Sequence, residues 1–383
     1  METRLLAAAA AMLVVGLALG YLAASGSPAA GTRAPPPAAA ETVTVRETVT
    51  STVTSPVTVT VSTVETVTKA VTETDTAVKV EARLSLVDAL GREVVVEARP
   101  SRIVVLAPSI TETVCMLGQC GRVVGADSFS LNIEGLPGNV TDVGGYWQPD
   151  PEKIISLKPD LVLACSGVPA QERLARLLEQ HGVTLFFTRC DRSRDWSDIM
   201  WDVRSISLLL GVPEKGEKLI SWMEAVLSNV SAAVANETRP SVALAVYFDE
   251  KGVWVSGGGT FQDTMIATAG GVNAFSRLHG WAMVGYEDIL STDPDYIVAT
   301  KSDPAAANAT LAAAASTPIG ETRAYREGRF CIVYGDYVNM LNRPSPRAVL
   351  GAQLLASILH PGKVEPPAAD GGVVCSQPQQ ESG

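Results

Sequence analysis

The feature that most constrains the fold is a segment that occurs twice. Residues 152–164 read EKIISLKPDLVLA and residues 287–299 read EDILSTDPDYIVA, with the same residue at six of the thirteen positions. A tryptophan precedes each copy, Trp147 and Trp281. Each copy is typical of a short helix, a Pro-Asp turn that stops it, and a buried strand of a parallel sheet. The repeat therefore predicts two similar lobes.

The length and charge of the chain limit its class. At 383 residues it is long enough for two domains and additional segments. Its formal net charge is −11, whereas a protein that binds nucleic acid needs a basic face. We therefore expect no nucleic-acid partner. The net negative charge is explained by acidic residues on a solvated surface.

An uncharged segment, Leu5–Ala24, lies near the amino terminus. It is long enough to cross a bilayer once. Two interpretations remain open, an uncleaved membrane anchor over residues 1–24 and a cleaved signal peptide. Both predict that the rest of the chain is exported and lies outside the cell or in the periplasm. None of the six cysteines lies near residue 25, which argues against a lipid anchor on cysteine.

Residues 25–80 are predicted to form a stalk. The segment is first rich in Pro and Ala, and then Thr and Val alternate from Glu41 to Thr76 without an aromatic residue. Such a composition supplies no large side chains for a core, which is typical of a linker. The alternation also fits a strand or an intermolecular bundle. Glycosylation would suit export, and sequons occur at Asn139, Asn229, Asn236 and Asn308.

Six cysteines allow fifteen complete pairings. None forms Cys-x-x-Cys, which disfavours zinc and thioredoxin-like sites. Cys165 and Cys190 each end a predicted strand, and one helix joins these two strands. We therefore predict a Cys165–Cys190 disulfide, and elimination leaves Cys115 with Cys120 and Cys331 with Cys375.

Strands and helices alternate along the rest of the chain, which predicts α/β lobes with parallel sheets and helices on their faces. We expect two Rossmann-like lobes joined by a long helix. Ligands of such sheets bind beyond the carboxyl ends of the strands, so the loops after the first-lobe strands form one rim. The predicted parts are a first lobe at 81–195, connecting helices at 196–238, a second lobe at 239–362, and a tail at 363–383, flexible unless Cys375 tethers it.

Several motifs occur in an order that carries a family resemblance: RIVVLAPSITETVCMLG, VVGADSFS, GGYWQPDPEKIISLKPDLVLA, WVSGGGTFQDTMIATAGGVNAF, WAMVGYEDILSTDPDYIVA and SPRAVLGAQLL. Over about Leu84–Gly362 the chain resembles the periplasmic binding proteins that deliver cobalamin, ferric siderophores or haem to ABC importers. These have two lobes joined by a single long helix. The resemblance implies a transport receptor rather than an enzyme, and its implied partner is a permease dimer with ATPase subunits.

The resemblance also implies that Glu152 and Glu287 dock the two lobes onto the permease. The residues fit the start of a helix, because Asp150 is a capping residue, Pro151 suits the first turn, and Glu152 complements the helix dipole. An acidic residue at a helix start also needs no partner. Its recurrence in both copies of the repeat favours docking.

Aromatic residues are the main ligand candidates. The resemblance assigns Phe129, Tyr146 and Trp281 to the pocket, and position adds Trp147, Tyr247, Trp254 and Tyr337. Flat aromatic walls suit a large planar or macrocyclic ligand, although core packing is the alternative. Polar contacts are predicted from Ser109, Ser166, Ser256, Gly257 and Gly258, where the glycines also fit a simple turn.

Two further candidates concern the ligand's metal and charge. His279 is predicted either to ligate the metal of a corrin or haem, or to lie in a surface loop. Arg343 is predicted to pair with the acidic groups of a siderophore or with propionates. The aromatic candidates outnumber the basic ones, which favours a corrinoid over a ferric siderophore or haem.

Other functions fit less well. Receptors for free zinc or manganese need clusters of His and carboxylates, and the chain has three histidines. An enzyme on the same scaffold, such as a chelatase or nitrogenase-like protein, would need cluster cysteines or a catalytic His, and no hydrolase or metalloprotease motif occurs. An adhesion or sensory domain would retain the fold without the transporter. We therefore predict a monomeric, membrane-tethered receptor without a cofactor or metal site of its own.

Overall fold

A computed structural model describes residues 41–53, 57–69, 79–97, 99–249 and 252–379. The predicted anchor and the first part of the stalk lie outside the described residues. Within these ranges, no helix combines the length and the apolar character needed to cross a membrane.

Backbone contacts divide the chain into two units, Met1–Val43 with Thr66–Lys79, and Thr44–Glu65 with Val80–Gly383. The Thr/Val-rich segment forms strands β1 (Glu41–Val53) and β2 (Val57–Lys69). This backbone agrees with the strand alternative, and a role as a stalk stays a prediction. Both lobes belong to the second unit.

The first lobe contains a five-stranded parallel sheet whose strands, from one edge to the other, are β11 (Leu185–Thr188), β10 (Leu161–Cys165), β5 (Ile103–Val105), β6 (Val123–Ala126) and β7 (Thr141–Asp142). Its central strands, Ile103–Val105 and Leu161–Cys165, are continuous apolar runs because helices cover both faces. All five residues of β10 are buried. The elements in chain order are β3 (Lys79–Val87), β4 (Glu93–Glu97), β5 (Ile103–Val105), α1 (Pro108–Met116), β6 (Val123–Ala126), β7 (Thr141–Asp142), β8 (Gly144–Gly145), β9 (Gln148–Pro149), α2 (Pro151–Ser156), β10 (Leu161–Cys165), α3 (Pro169–Gln180) and β11 (Leu185–Thr188), with 3₁₀ turns at Cys120–Arg122 and Cys190–Arg192.

Two helices follow the first lobe, α4 (Trp196–Leu209) and α5 (Pro213–Val234). Helix α4 contributes to both cores, because Trp201 and Ile206 pack in the first lobe whereas Ile199 packs in the second. The two helices cross closely at Gly216, where an added Cβ would lie 2.2 Å from the Ser207 hydroxyl. The lobes therefore share a packed pair of helices.

The second lobe has a mixed sheet whose strands, from one edge to the other, are β15 (Trp281–Val284), β13 (Gly252–Ser256), β12 (Ser241–Asp249), β16 (Tyr296–Lys301), β17 (Phe330–Gly335) and β18 (Gly371–Cys375). Only β12, β16 and β17 of this path run parallel, so the prediction of a parallel sheet holds for its centre. The difference arises because β13 returns antiparallel beside β12. The elements are β12 (Ser241–Asp249), β13 (Gly252–Ser256), α6 (Phe261–Thr268), β14 (Val272–Asn273), β15 (Trp281–Val284), α7 (Tyr286–Thr292), β16 (Tyr296–Lys301), α8 (Pro304–Ala314), a 3₁₀ turn (Pro318–Glu321), α9 (Arg323–Arg326), β17 (Phe330–Gly335), α10 (Tyr337–Asn342), α11 (Ala348–Leu359) and β18 (Gly371–Cys375).

The predicted tail is partly ordered. Strand β18 pairs antiparallel with β17, and the Cys331–Cys375 disulfide joins the two strands. The tail was expected to be flexible unless Cys375 tethers it, and residues 371–375 meet that condition. The other predicted disulfides, Cys115–Cys120 and Cys165–Cys190, are also present, so all three predicted pairings are confirmed.

The internal repeat extends to hydrogen bonding. The Asp160 carboxylate accepts bonds from the backbone N–H and hydroxyl of Ser101, at 2.7 and 2.8 Å. Asp295, at the matching position, does the same with Ser241, at 2.8 and 2.7 Å. In both copies the carboxylate ties the Pro-Asp turn to the start of a neighbouring strand. The sequence repeat is thus a structural repeat.

Candidate ligand cleft

In the first lobe, an aromatic pair forms the tip of a hairpin. Tyr146 and Trp147 connect strands β8 and β9, and their ring centroids lie 4.7 Å apart in an edge-to-face arrangement. Gly144 makes this turn possible, since its φ is +98° and an added Cβ would lie 2.8 Å from the Gln148 carbonyl oxygen. The Trp147 side chain is 60% exposed. A large apolar ring is therefore presented to solvent.

Phe129 adds a second exposed ring, 63% accessible, in the loop after β6. Asp127 holds this loop: its carboxylate accepts a 3.0 Å bond from the Phe129 N–H and bonds the Ser130 hydroxyl. Burial raises the pKa of Asp127, although these hydrogen bonds and the charge of Arg343 act in the opposite direction. The loop is fixed by a buried acid while its aromatic side chain stays exposed.

Gln171, which the sequence analysis did not identify, ties the rim together. Its amide nitrogen donates to the carbonyl oxygens of Leu106 and Tyr146, at 2.8 and 2.9 Å, and its oxygen accepts from the Cys165 N–H at 2.8 Å. The side chain is fully buried in α3. One amide thus positions the ends of β5 and β10 and the aromatic hairpin.

The Cys165–Cys190 disulfide lies beside these groups. A disulfide sulfur has no proton, so Tyr146 donates its hydroxyl to Cys165 Sγ at 3.1 Å and Ser109 donates to Cys190 Sγ at 3.4 Å. Burial and the Asp191 carboxylate raise the pKa of the Tyr146 phenol, which therefore remains a donor. Although Cys165, Cys190 and Asp191 lie close together, the disulfide leaves no thiolate to bind a metal.

Two of the three predicted serines form hydrogen bonds within the protein. Ser109 is 5% exposed and bonds the disulfide, as described above, while the buried Ser166 donates to the Arg189 carbonyl oxygen at 2.9 Å. Ser256 is also fully buried, and its hydroxyl has no hydrogen-bond partner among the described residues. Ser109 and Ser166 therefore support the rim in this structure.

In the second lobe, β13 and β15 carry an exposed apolar surface. Trp254 lies opposite Met283, and Trp281 lies opposite Ser256 in the antiparallel register. Trp254, Trp281 and Met283 are 37%, 38% and 46% exposed. Because alternate residues of a strand share one face, these three side chains lie on the same side of the sheet. Exposed apolar surface of this kind is a candidate binding site.

The glycines at the end of β13 position the loop that leads to Trp281. Gly257 and Gly258 donate their N–H groups to the carbonyl oxygens of Gly280 and Leu278, at 2.8 and 2.6 Å. A Cβ on Gly258 would lie 2.3 Å from the Ser276 carbonyl oxygen. The predicted backbone donors are therefore occupied, and the glycines permit close backbone approach. His279, in the same loop, is exposed.

The lobes meet through a buried carboxylate. Glu112 of α1, 4% exposed, lies 2.6 Å from Arg343 Nη1 and accepts a 2.6 Å bond from the Ser345 hydroxyl. Arg347 Nη1 lies 3.6 Å from the same carboxylate and also pairs with Asp336. Arg343, predicted to meet an acidic ligand, thus pairs with the other lobe.

The remaining aromatic candidates differ in position. Tyr337 is 7% exposed and packs in the core of the second lobe, with its hydroxyl donating to the Pro367 carbonyl oxygen at 2.6 Å. We therefore correct its assignment from the ligand site to the core. Tyr247 lies in β12 in register with Trp254.

Both predicted docking residues are exposed at the starts of helices. The Asp150 carboxylate accepts bonds from the N–H groups of Glu152 and Lys153, at 3.0 and 3.1 Å, which leaves the Glu152 carboxylate free of the capping role. Glu287 occupies the first turn of α7. Across the described ranges, neither Glu152 nor Glu287 forms an ion pair. The four sequon asparagines, Asn139, Asn229, Asn236 and Asn308, are also exposed.

Residues 103–333 match the model of a family described as periplasmic binding protein, and the chain belongs to this family. Among curated relatives, the "Uncharacterized ABC transporter substrate-binding lipoprotein YvrC" of Bacillus subtilis is 27% identical over 72% of this chain and 84% of its own length. The "Cobalamin-binding protein" of Halobacterium salinarum is 28% identical over 71% and 73%.

Solved structures share the fold. A periplasmic heme binding protein from Pseudomonas aeruginosa aligns with a TM-score of 0.61 at 22% identity, over 73% of this chain and 99% of that one. The periplasmic vitamin B12 binding protein BtuF of Vibrio cholerae aligns with a TM-score of 0.57 at 23% identity, over 68% and 96%. The two-lobed α/β architecture is therefore that of known solute-binding proteins.

Proposed function

We propose that this chain is the substrate-binding component of an ABC importer and that it captures a cobalamin-type corrinoid between its lobes. The observation that carries the proposal is the exposed aromatic surface on each lobe. Phe129 and Trp147 belong to the first lobe, and Trp254 and Trp281 belong to the second. Aromatic side chains on both lobes can cover both faces of a broad macrocycle, which buries more apolar area than contact with one face.

Binding requires no covalent step. The aromatic rings supply apolar contact area, and they are held by loops whose backbone is already fixed by Asp127, Gln171 and the glycine turn. Such preorganisation lowers the entropy lost on binding. The relatives named as ABC substrate-binding and cobalamin-binding proteins support this function over an enzyme or an adhesion domain.

A ferric siderophore or haem is the alternative ligand, favoured by the structural likeness to a heme binding protein. An acidic ligand would gain from free arginines. Arg343 and Arg347 are instead engaged by Glu112 and Asp336. The uncharged periphery of a corrinoid needs no free arginine.

Isothermal titration of the full chain with cyanocobalamin, haemin and a ferric hydroxamate tests the ligand. We expect submicromolar affinity for cyanocobalamin and weaker binding of the other two. Submicromolar binding of haemin or ferric hydroxamate without binding of cyanocobalamin would overturn the corrinoid assignment.

The proposal includes docking and location. Glu152 and Glu287 would contact basic residues of a permease dimer with its ATPase subunits, one carboxylate for each subunit. The membrane segment at 5–24 would hold the folded part outside the cell membrane. The name of the Bacillus subtilis relative, a lipoprotein, supports a tethered receptor.

A further inference from the structure

Two amide side chains of the second lobe each retain a buried oxygen without a hydrogen bond. Gln262, fully buried in the first turn of α6, donates from Nε2 to the Leu341 carbonyl oxygen at 3.3 Å. Asn342, at the end of α10, donates from Nδ2 to Thr300 Oγ1 at 3.3 Å. Within the part of the chain that the structure describes, Gln262 Oε1 and Asn342 Oδ1 have no partner.

The neighbouring bonds fix the orientation of both amides. The Leu341 carbonyl oxygen only accepts, so the nitrogen of Gln262 must face it. Thr300 donates its own proton to the Val246 carbonyl oxygen at 3.2 Å, so it accepts from the nitrogen of Asn342. The two unpaired atoms are therefore carbonyl oxygens, and each requires an N–H or O–H donor.

Both amides lie beside the segment that contacts the first lobe. Gln262 bonds Leu341, which precedes Asn342, and Arg343 then reaches Glu112 of the first lobe. Thr300 lies near the carboxyl end of β16. Ligands of α/β sheets bind at this edge. Buried acceptors without partners are costly, and a ligand that supplies donors removes that cost.

We propose that Gln262 and Asn342 accept hydrogen bonds from primary amides on the ligand's periphery, and this inference rests on the proposed function. A corrin ring carries such amides, whereas haem carries carboxylates, which have no proton to donate near neutral pH. The hydroxamate oxygens that bind iron also act as acceptors. The two side chains would therefore select an amide-bearing macrocycle.

Titration of the full chain with two corrinoids tests this selection: cyanocobalamin, and a corrinoid whose side-chain amides are hydrolysed to carboxylates. We expect the wild type to prefer cyanocobalamin. Gln262→Met and Asn342→Leu should each weaken cyanocobalamin binding by about tenfold and affect the hydrolysed corrinoid much less. Gln353→Met is the matched control, because Gln353 likewise donates to a backbone carbonyl, that of Glu365 at 2.9 Å, but is only half-buried.

Equal affinity of the wild type for both corrinoids, or variants that weaken both equally, would overturn the inference while leaving the proposed function intact. A wild type that binds neither corrinoid would instead overturn the proposed function. Should Gln262→Met fail to fold, Asn342→Asp retains an acceptor that Asn342→Leu lacks, and this pair provides the same comparison.

Discussion

The carboxylate of Glu112 in the first lobe lies 2.6 Å from the guanidinium of Arg343 in the second lobe. The side chain of Glu112 is 4% exposed and that of Arg343 is 21% exposed, so loss of the carboxylate would leave Arg343 without its partner in a partly buried setting. We expect Glu112→Gln to lower the free energy of unfolding by about 3 kcal/mol, as measured by urea denaturation.

Glu172→Gln is the matched control, since Glu172 pairs with Arg192 at 2.8 Å on the surface. Its effect should stay below about 1 kcal/mol. If Glu112→Gln costs no more than this control, the contact between the lobes contributes little to stability.

We expect the exposed aromatic rings to contribute to ligand affinity rather than to the stability of the fold. Trp147→Ala should weaken cyanocobalamin binding on the order of tenfold, because a ring that covers the macrocycle is lost, while changing the free energy of unfolding by less than about 0.5 kcal/mol. Calorimetric titration and urea denaturation measure the two effects. Met116→Ala is the control. Met116 is 40% exposed and is the last residue of α1, and its substitution should leave the affinity for cyanocobalamin unchanged.

Charge reversal at the docking residues should separate capture from delivery. Glu152→Lys and Glu287→Lys should leave ligand affinity within about twofold, since both side chains are exposed, and should abolish uptake in vesicles that contain the permease. Glu214→Lys changes an exposed residue in the first turn of α5, outside the repeat, and should transport normally. Normal uptake with both Glu152→Lys and Glu287→Lys would contradict the proposed docking role of these residues.

A buried acid predicts a pH dependence of stability. The Asp202 carboxylate accepts bonds from the N–H groups of Arg189 and Cys190, at 2.7 and 3.0 Å, yet burial raises its pKa to about 7. The folded state thus holds the proton more tightly than the unfolded state, and this contribution to stability is lost as the pH rises from about 4 through 7.

Asp202→Asn stays neutral at every pH, so its melting temperature relative to the wild type should rise between pH 5 and 8. Asp142 provides the contrast, because the Gly144 N–H lowers the pKa of its carboxyl and places its titration below this range. The difference in melting temperature between Asp142→Asn and the wild type should not change between pH 5 and 8. If the difference for Asp202→Asn also does not change, the raised pKa of Asp202 is contradicted.

Much of the architecture follows from patterns that recur along the chain. The repeat predicted two α/β lobes, and the cysteines at the ends of neighbouring strands predicted a disulfide that the structure contains. Gln171, Gln262 and Glu112 were not predicted, because a single polar side chain that bonds distant backbone or another lobe leaves no periodic signal. Tyr337 was misassigned since an aromatic residue after a strand fits either a core or a rim.

Strand β18 has a consequence for the behaviour of the protein in solution. Without it, β17 would be the outermost strand of the second sheet, with unpaired N–H and C=O groups that can recruit another chain. Pairing over Cys331–Gly335 and Gly371–Cys375 covers that edge, and the disulfide keeps the cover in place. Strand β18 therefore protects this edge of the sheet against edge-to-edge aggregation.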